Sequence, residues 1–250
     1  MIRTRKSKKF RRKPAQILFA ATVGDNTLHL RSQVNGYDCT IYWGDGSSSI
    51  CPTGGGNIIH NYAAAGNYLI TISGNSFAGF YVANQVGKEK YKALYSLGKW
   101  KNDTMVSCQN GFYRCSALNY IGDDAFRYVS KITAVHSCFF NCTSLTAIPA
   151  NIFKYNRLIN VFTMAFKDCT KLSLRDDIFG LDYASRFALV PSVSFTDMFT
   201  RSSFSGTQGI APQLWDFALQ ASTKTNCFGG AGNNLPSLKN YPDVPTEWRT

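Results

Sequence analysis

Short runs of alternating apolar and polar residues fill the first third of the chain, and each has the length and composition of a β-strand. The Gly-Asp-Asn sequence at residues 24–26 separates the first two runs and predicts a hairpin turn. Gly44 and Gly46 predict a tight turn after the third run, because glycine accepts positive φ angles. The predicted strands cover residues 17–23, 27–33, 39–43 and 68–72.

A second pattern recurs at intervals of 27 residues in the rest of the chain. The first two copies place phenylalanine, cysteine, leucine and isoleucine three residues apart and end with another phenylalanine. One copy cannot bury these side chains alone, whereas stacked copies share a core, and leucine-rich repeats have periods of about 20–29 residues. The copies begin at Phe112, Phe139 and Phe166, and looser copies contain Phe195, Phe199, Ile210 and Trp215, then Cys227, Phe228, Leu235 and Leu238.

The residues between these positions predict the local structure of each copy. A short β-type stretch precedes the first phenylalanine, as in residues 106–108. Asp123 and Asp124 in one copy, and Asp176 and Asp177 in another, suit the first turn of a helix, where carboxylates interact favourably with the helix dipole. We therefore expect each copy to contain one strand and one short helix that carries the last phenylalanine.

Composition supports this picture, and the charge distribution adds to it. Aromatic residues make up 14% of the chain and charged residues only 17%, which favours β structure over a helical bundle. Of the net charge of +12, eight units lie in residues 1–13, which contain no acid, so the other 237 residues carry only +4. The body is therefore expected to lack the basic stripe of a nucleic-acid-binding domain.

Neither a membrane span nor a secretory signal peptide is expected. No run approaches the roughly 18 apolar residues that cross a bilayer. The apolar segment 17–23 follows a long basic run and is followed closely by Asp25, unlike the apolar core and cleavage site of a signal peptide.

The eight cysteines are interpreted mainly as structural residues. Cys115, Cys142 and Cys169 share one position of the repeat and are expected to form a buried ladder of small apolar side chains. Cys39 and Cys51 flank the glycine turn and could form a disulfide if the chain meets an oxidising compartment.

Chemistry beyond structure is not expected from this sequence. His136, Cys138 and Cys142 resemble a zinc cluster but lack a fourth ligand, so no metal and no other cofactor is expected. The other two histidines, His29 and His60, lie far away in sequence, and no nucleophile elbow, phosphate-binding loop or dinucleotide-binding motif is present. The sequence therefore favours a protein that is not an enzyme.

The strand-rich unit resembles a PKD (polycystic-kidney-disease-type) immunoglobulin-like domain. The resemblance rests on Tyr-Trp-Gly-Asp-Gly at residues 42–46, His-Asn-Tyr at residues 60–62 and Gly-Asn-Tyr-Leu-Ile-Thr-Ile at residues 66–72. One residue is missing before Gly44 relative to the family pattern. The resemblance implies a small β-sandwich that acts as a spacer or adhesion module.

The repeated unit resembles the BspA-like leucine-rich repeats of bacterial surface proteins and bacteriophage structural proteins. The signature is clearest in residues 139–149, which combine the spaced Phe, Cys, Leu and Ile with a following proline. The expected fold is thus mostly β, with an Ig-like β-sandwich followed by a short leucine-rich-repeat β/α solenoid. The expected organisation is a basic arm (1–14), the sandwich (15–80), a connector and cap (81–104) and the solenoid (105–250).

These resemblances imply a non-enzymatic structural or interaction protein of a bacteriophage virion, as a capsid-associated, collar, tail or fibre component. Its expected partners are other virion proteins, together with a host-surface protein or glycan that contacts the solenoid. Two alternatives remain open at this point, namely a bacterial cell-surface adhesin and a nucleic-acid-binding protein that acts through the arm.

The basic arm is expected to anchor the body. Its charges repel one another, and it contains few apolar side chains, so it cannot fold alone. We expect it to lie along an acidic or carbonyl-rich surface of a neighbouring subunit, with packaged genome as the competing partner. The predicted anchoring residues are Arg3, Arg5, Lys6, Lys8, Lys9, Phe10, Arg11, Arg12 and Lys13.

Overall fold

The computed structural model shows a mostly β protein. Eight strands and a few very short helices account for its regular secondary structure, and the rest consists largely of turns. The structure describes residues 13–32, 35–83, 85–180, 192–202, 209–216, 223–230 and 238–250.

The strands form one six-stranded sheet and one two-stranded sheet. The large sheet is open and mixed, with the order β4-β3-β6-β1-β7-β8, and the small sheet pairs β2 with β5. Strand β1 lies near the centre of the large sheet, and every second residue of it is buried. The strands are β1 (Ala15–Ala21), β2 (Gly24–Leu30), β3 (Asp38–Tyr42), β4 (Ser48–Ile50), β5 (Gly56–Tyr62), β6 (Gly66–Ser76), β7 (Tyr91–Leu97) and β8 (Tyr120–Ile121).

The predicted hairpin between the first two strands is wrong. Strand β1 pairs with β6 and β7, whereas β2 pairs with β5 in the other sheet. The buried Asn26 side chain redirects the chain between them, because its amide donates to the carbonyl oxygens of Thr22 at 2.7 Å and Gly24 at 2.8 Å. Side-chain hydrogen bonds thus replace the backbone pairing that the turn sequence predicts.

Aromatic side chains join the two sheets. The hydroxyl of Tyr62 in β5 donates to the carbonyl oxygen of Trp43, and the two buried rings meet edge to face. The hydroxyl of Tyr91 in β7 accepts a hydrogen bond from the backbone N–H of His29 in β2. We call this part of the molecule, the described residues from 13 to 100, the sheet region.

Segments of the remaining chain lie side by side in parallel register, and we call the described residues from 105 to 250 the stacked region. Backbone N–H groups of each segment donate to the next one, as Phe112 does to Cys138 at 2.8 Å and Phe139 does to Ala165 at 2.9 Å. Parallel bridges connect Ser107, Ala134, Val161, Ser194 and Thr223 in that order. The first two steps are 27 residues long, as the sequence interval predicts.

Five buried phenylalanine rings form a continuous stack through these segments. Neighbouring rings are nearly parallel, with centroids 5.3–5.8 Å apart. The stack shows that the last two segments, where the interval changes, keep the same side-chain position. Its members are Phe112, Phe139, Phe166, Phe199 and Phe228.

The short helices predicted after the isoleucine position are replaced by successive turns. In one segment the bonds run from Ala125 N–H to the Gly122 oxygen and from Val129 N–H to the Phe126 oxygen, over three residues rather than four. The acids there form ion pairs and do not cap helices, as Asp177 does with Arg175. Lateral bonds between segments compete for the backbone groups that a helix needs.

The sheet region continues directly into the stacked region. Strand β7 pairs antiparallel with β1 on one side and parallel with β8, the first stacked segment, on the other. The Phe80 and Phe112 rings meet across the junction with centroids 5.5 Å apart. At the far end, Trp248 on the four-residue helix α1 (Thr246–Arg249) packs against Phe228. One hydrophobic core therefore runs through both regions.

Candidate functional site

The structure describes only the last residue of the predicted anchoring arm. The Lys13 carbonyl oxygen accepts a hydrogen bond from the Lys99 backbone N–H at 2.6 Å, and its Nζ lies 3.3 Å from Asp124 Oδ2. The arm therefore leaves the body at a fixed point beside the first stacked segment. The other predicted anchors, Arg3, Arg5, Lys6, Lys8, Lys9, Phe10, Arg11 and Arg12, lie outside the described residues.

The repeated cysteines occupy equivalent buried positions in adjacent segments. The thiol of Cys142 donates to the Phe112 oxygen at 3.2 Å, and that of Cys169 donates to the Phe139 oxygen at 3.1 Å. Ser202 takes this position in the next segment, and its hydroxyl donates to the Phe166 oxygen at 2.6 Å. These side chains are thus hydrogen-bond donors between segments as well as small core residues.

Burial keeps the ladder thiols protonated. It raises the pKa of Cys169 to about 12, and it raises the pKa values of Cys115 and Cys142 above their usual range. A thiolate is the reactive form of cysteine, so this environment favours a structural role.

The residues of the considered zinc cluster point to different partners. Cys138 contacts Cys108, with the sulfur atoms 3.1 Å apart, while Cys142 belongs to the ladder. Burial lowers the pKa of His136, which lines a surface groove. Within the described ranges, no three His, Cys, Asp or Glu side chains come together as a metal site.

Cys39 and Cys51 are cross-strand neighbours, as their positions in sequence predict. The Cys51 N–H donates to the Cys39 carbonyl oxygen at 2.9 Å, and the two buried sulfur atoms face each other as free thiols. Their contact and their burial raise the pKa of Cys51.

The Gly-Asp-Gly turn contains a serine, a histidine and an aspartate that are in contact. His60 Nε2 lies 2.6 Å from Asp45 Oδ2, and the Ser47 hydroxyl donates to Asp45 Oδ1 at 2.6 Å. Hydrogen bonds from Ser47 and His60 hold the pKa of Asp45 well below its usual value. The His60 ring stacks on Trp43 with centroids 4.6 Å apart.

This cluster closes the turn and lacks the geometry of a catalytic triad. A triad places aspartate and serine on opposite ring nitrogens of histidine. Here Ser47 Oγ lies 3.3 Å from His60 Nε2, the same nitrogen that contacts Asp45. Gly44 is required because its φ is +89° and a Cβ there would lie 2.9 Å from the Leu69 oxygen.

The candidate ligand site is an open groove of about 520 Å³ where the sheet region meets the stacked region. Asn110, Ser137 and Met164 occupy one position in three successive segments, and all three have a left-handed backbone with φ near +50°. The groove is lined by Tyr81, Ala83, Asn110, Tyr113, His136, Ser137, Phe140, Met164, Lys167 and Arg201.

Aromatic rings and paired charges give the groove its character. The Tyr113 and Phe140 rings stack with centroids 4.8 Å apart. Lys167 lies 3.1 Å from Asp197, and Arg201 pairs with Asp168 through both Nε and Nη2. These pairs neutralise the two lining cations, so the groove offers aromatic surface and hydrogen-bonding groups with little net charge.

The sequence analysis missed this groove. The repeat identifies inward-facing positions, whereas the groove uses the residues beside them, whose identities change from copy to copy. One signal was present, because Tyr113 and Phe140 are aromatic at equivalent positions directly after the repeated phenylalanine. Only the fold brings Tyr81 of the sheet region to the same place.

Comparison with known proteins leaves the assignment to the geometry itself. The chain matches no protein-family model, no curated protein and no solved structure. Among the described residues, none of the helices has the length and apolar character needed to cross a bilayer.

Proposed function

We propose that the chain is a non-enzymatic structural and interaction protein whose groove at the region boundary receives a ligand. The sheet region serves as a PKD-like β-sandwich, and the stacked region serves as a leucine-rich-repeat solenoid of the BspA-like type. The two pairing sheets and the in-register segments support these assignments.

The observation that carries the proposal is the groove between Tyr81 and Arg201. It combines ring surface from Tyr113 and Phe140 with neutral hydrogen-bonding groups from Asn110 and Ser137. Such a mixture suits recognition of a glycan or a protein segment, because apolar contact supplies affinity and a few polar groups fix orientation. The polar cluster at Asp45 supports the same conclusion, since it lacks triad geometry.

We further propose that the protein belongs to a bacteriophage virion and is held there by its basic arm. The attachment point supports this, because Lys13 is fixed to Lys99 and Asp124 and so transmits the position of the arm to the body. A bacterial cell-surface adhesin is the competing function. An adhesin would use the same groove but would fractionate with the cell envelope.

Cell fractionation tests the location. Lysates of producing cells are separated on a density gradient, and the full chain is expected in the fraction of assembled particles. A chain without residues 1–12 should stay folded and remain in the soluble fraction. Sedimentation of the full chain with envelope membranes contradicts the virion proposal and supports the adhesin.

An array of bacterial surface glycans and envelope proteins tests the groove. Replacing His136 and Lys167 together by alanine should abolish whichever binding the full chain shows, because both line the groove. Lys171→Ala changes an exposed lysine outside the groove and is the matched control. Equal binding by the groove variant and the control contradicts the assigned site.

A further inference from the structure

Tyr128 is surrounded by cations where the arm leaves the body. Lys13 Nζ lies 5.6 Å from the ring centroid, Lys99 Nζ lies 5.5 Å from it, and Arg127 Cζ lies 5.6 Å from it. Cations attracted to the ring face in this way combine positive charge with aromatic surface.

The neighbouring segment extends the same chemistry. Tyr155 lies 27 residues after Tyr128, and its exposed fraction is 47%. Arg127 Cζ lies 5.1 Å and Lys154 Nζ lies 5.8 Å from its ring centroid. We call the surface formed by Lys13, Lys99, Arg127, Tyr128, Lys154 and Tyr155 the arm-exit face.

Positive charge dominates this face. Its four cations are contacted by one carboxylate, Asp124, which pairs with Lys13 at 3.3 Å and with Arg127 at 3.2 Å. Residues 1–12 add seven further cations and no acid directly before Lys13. The near-neutral body thus conceals a basic surface, because the residues that form it are far apart in sequence.

We infer that the arm-exit face and the arm together bind single-stranded nucleic acid. A phosphate backbone carries one sign of charge along its whole length, which matches an acid-free arm and a basic face better than a protein surface of mixed sign. Unpaired bases can stack on the exposed tyrosine rings while lysine and arginine contact phosphates. The inference goes beyond the proposed function, because it names the partner of the arm and holds with or without a particle.

Fluorescence anisotropy of the full chain with a labelled oligothymidylate of about 20 nucleotides tests the inference. Affinity should fall steeply with salt. Arg127→Glu combined with Lys154→Glu should weaken binding about tenfold and reduce the salt slope by about 1 for each lost phosphate contact. Tyr155→Ala should weaken binding about fivefold, because base stacking on one ring contributes roughly 1–3 kcal/mol.

Matched variants separate this surface from general charge effects. Lys171→Glu makes a similar charge change outside the face and should weaken binding no more than about twofold. Tyr155→Phe keeps the ring and should bind like the original chain, and Tyr155→Ala should leave duplex binding unchanged. Thermal unfolding confirms that each variant is folded. Arg127→Gln with Lys154→Gln replaces the double charge reversal if that variant is unstable.

Three results overturn the inference. The first is a full chain that does not bind the oligonucleotide at low salt. The second is an equal loss of affinity in the double variant and in Lys171→Glu. The third is displacement of the oligonucleotide by polyglutamate at equal charge concentration, which identifies an acidic protein surface as the partner. The location experiment is unaffected by each of these results.

Discussion

The sheet region and the stacked region use backbone pairing in different ways. In the sheet region, strands distant in sequence meet, as β1 meets both β6 and β7, and individual side chains such as Asn26 determine where the chain turns. In the stacked region, a residue meets its own equivalent in the next segment, as Phe139 meets Phe166. The first region depends on unique contacts, and the second depends on one contact used repeatedly.

The difference shows why only one region can be extended without redesign. A repeated contact allows segments to be added or removed, since stability then depends on each unit and its interface with its neighbours. A network of unique contacts offers no such unit. The stacked region therefore provides recurring surface for ligands, and the sheet region closes one end of it through β7 and β8.

The largest expected effect comes from removing a ring from the phenylalanine stack. Phe139→Ala should reduce the free energy of unfolding by about 4 kcal/mol, because the side chain is fully buried between Phe112 and Phe166. Leu145→Ala at another buried position should cost about 3 kcal/mol. Urea denaturation measures both losses. A loss below about 1 kcal/mol for either variant contradicts the assigned repeat frame.

A smaller effect should separate hydrogen bonding from packing in the cysteine ladder. Cys142→Ala should cost about 2 kcal/mol, because it removes a donor to the Phe112 oxygen and leaves a small cavity. Cys142→Ser should cost less than about 1 kcal/mol, since serine already fills this position at Ser202. Denaturation curves of the two variants test the order. A more stable alanine variant means that the ladder packs as apolar residues only.

The turn network of the sheet region should respond to pH. Asp45→Asn should cost about 1 kcal/mol at pH 7, because Asp45 accepts hydrogen bonds from Ser47 and His60. The folded pKa of Asp45 is depressed, so its contribution is complete above the unfolded pKa of 3.8 and is lost as pH falls below it. Urea unfolding at pH 7 and pH 3 should show the difference shrinking. A constant difference excludes Asp45 as the titrating group.

The smallest effect is a gain in stability within the stacked region. Met164 has a φ of +56°, a conformation that methionine rarely adopts and that asparagine tolerates better. Asn110 and Asn226 have the same left-handed backbone at the equivalent position of other segments. Met164→Asn should therefore raise the free energy of unfolding by about 0.5 kcal/mol. Met164→Leu, which keeps an apolar side chain, should give no gain in the same denaturation assay.

The sequence predicts repeated features better than unique ones. The interval of 27 residues and the burial of Phe139, Leu145 and Ile148 follow from periodicity, because a recurring apolar position in stacked units faces the core. The hairpin prediction fails because the Asn26 side chain, and not the turn sequence, determines the route of the chain. The helix prediction fails because backbone groups bond between segments, as Asn151 N–H does to the Asp177 oxygen.

The candidate surfaces are least visible in the sequence. The groove and the arm-exit face each combine residues from both regions, as Tyr81 joins Tyr113 and Lys99 joins Tyr128. Neither pairing follows from a motif or an interval. They depend on the junction at β7, which places the end of the sheet region beside the first stacked segment.

Deletion of one complete segment tests the modular stack most directly. Removing residues 133–159 joins Ile132 to Asn160 and takes out one interval of 27 residues, so that Phe112 can stack on Phe166. The account predicts a folded protein that unfolds cooperatively in urea and keeps a native near-ultraviolet circular dichroism spectrum. Removing residues 133–152 instead leaves the following segments out of register and should abolish cooperative unfolding. Equal disruption by the two deletions contradicts the segment as the structural unit.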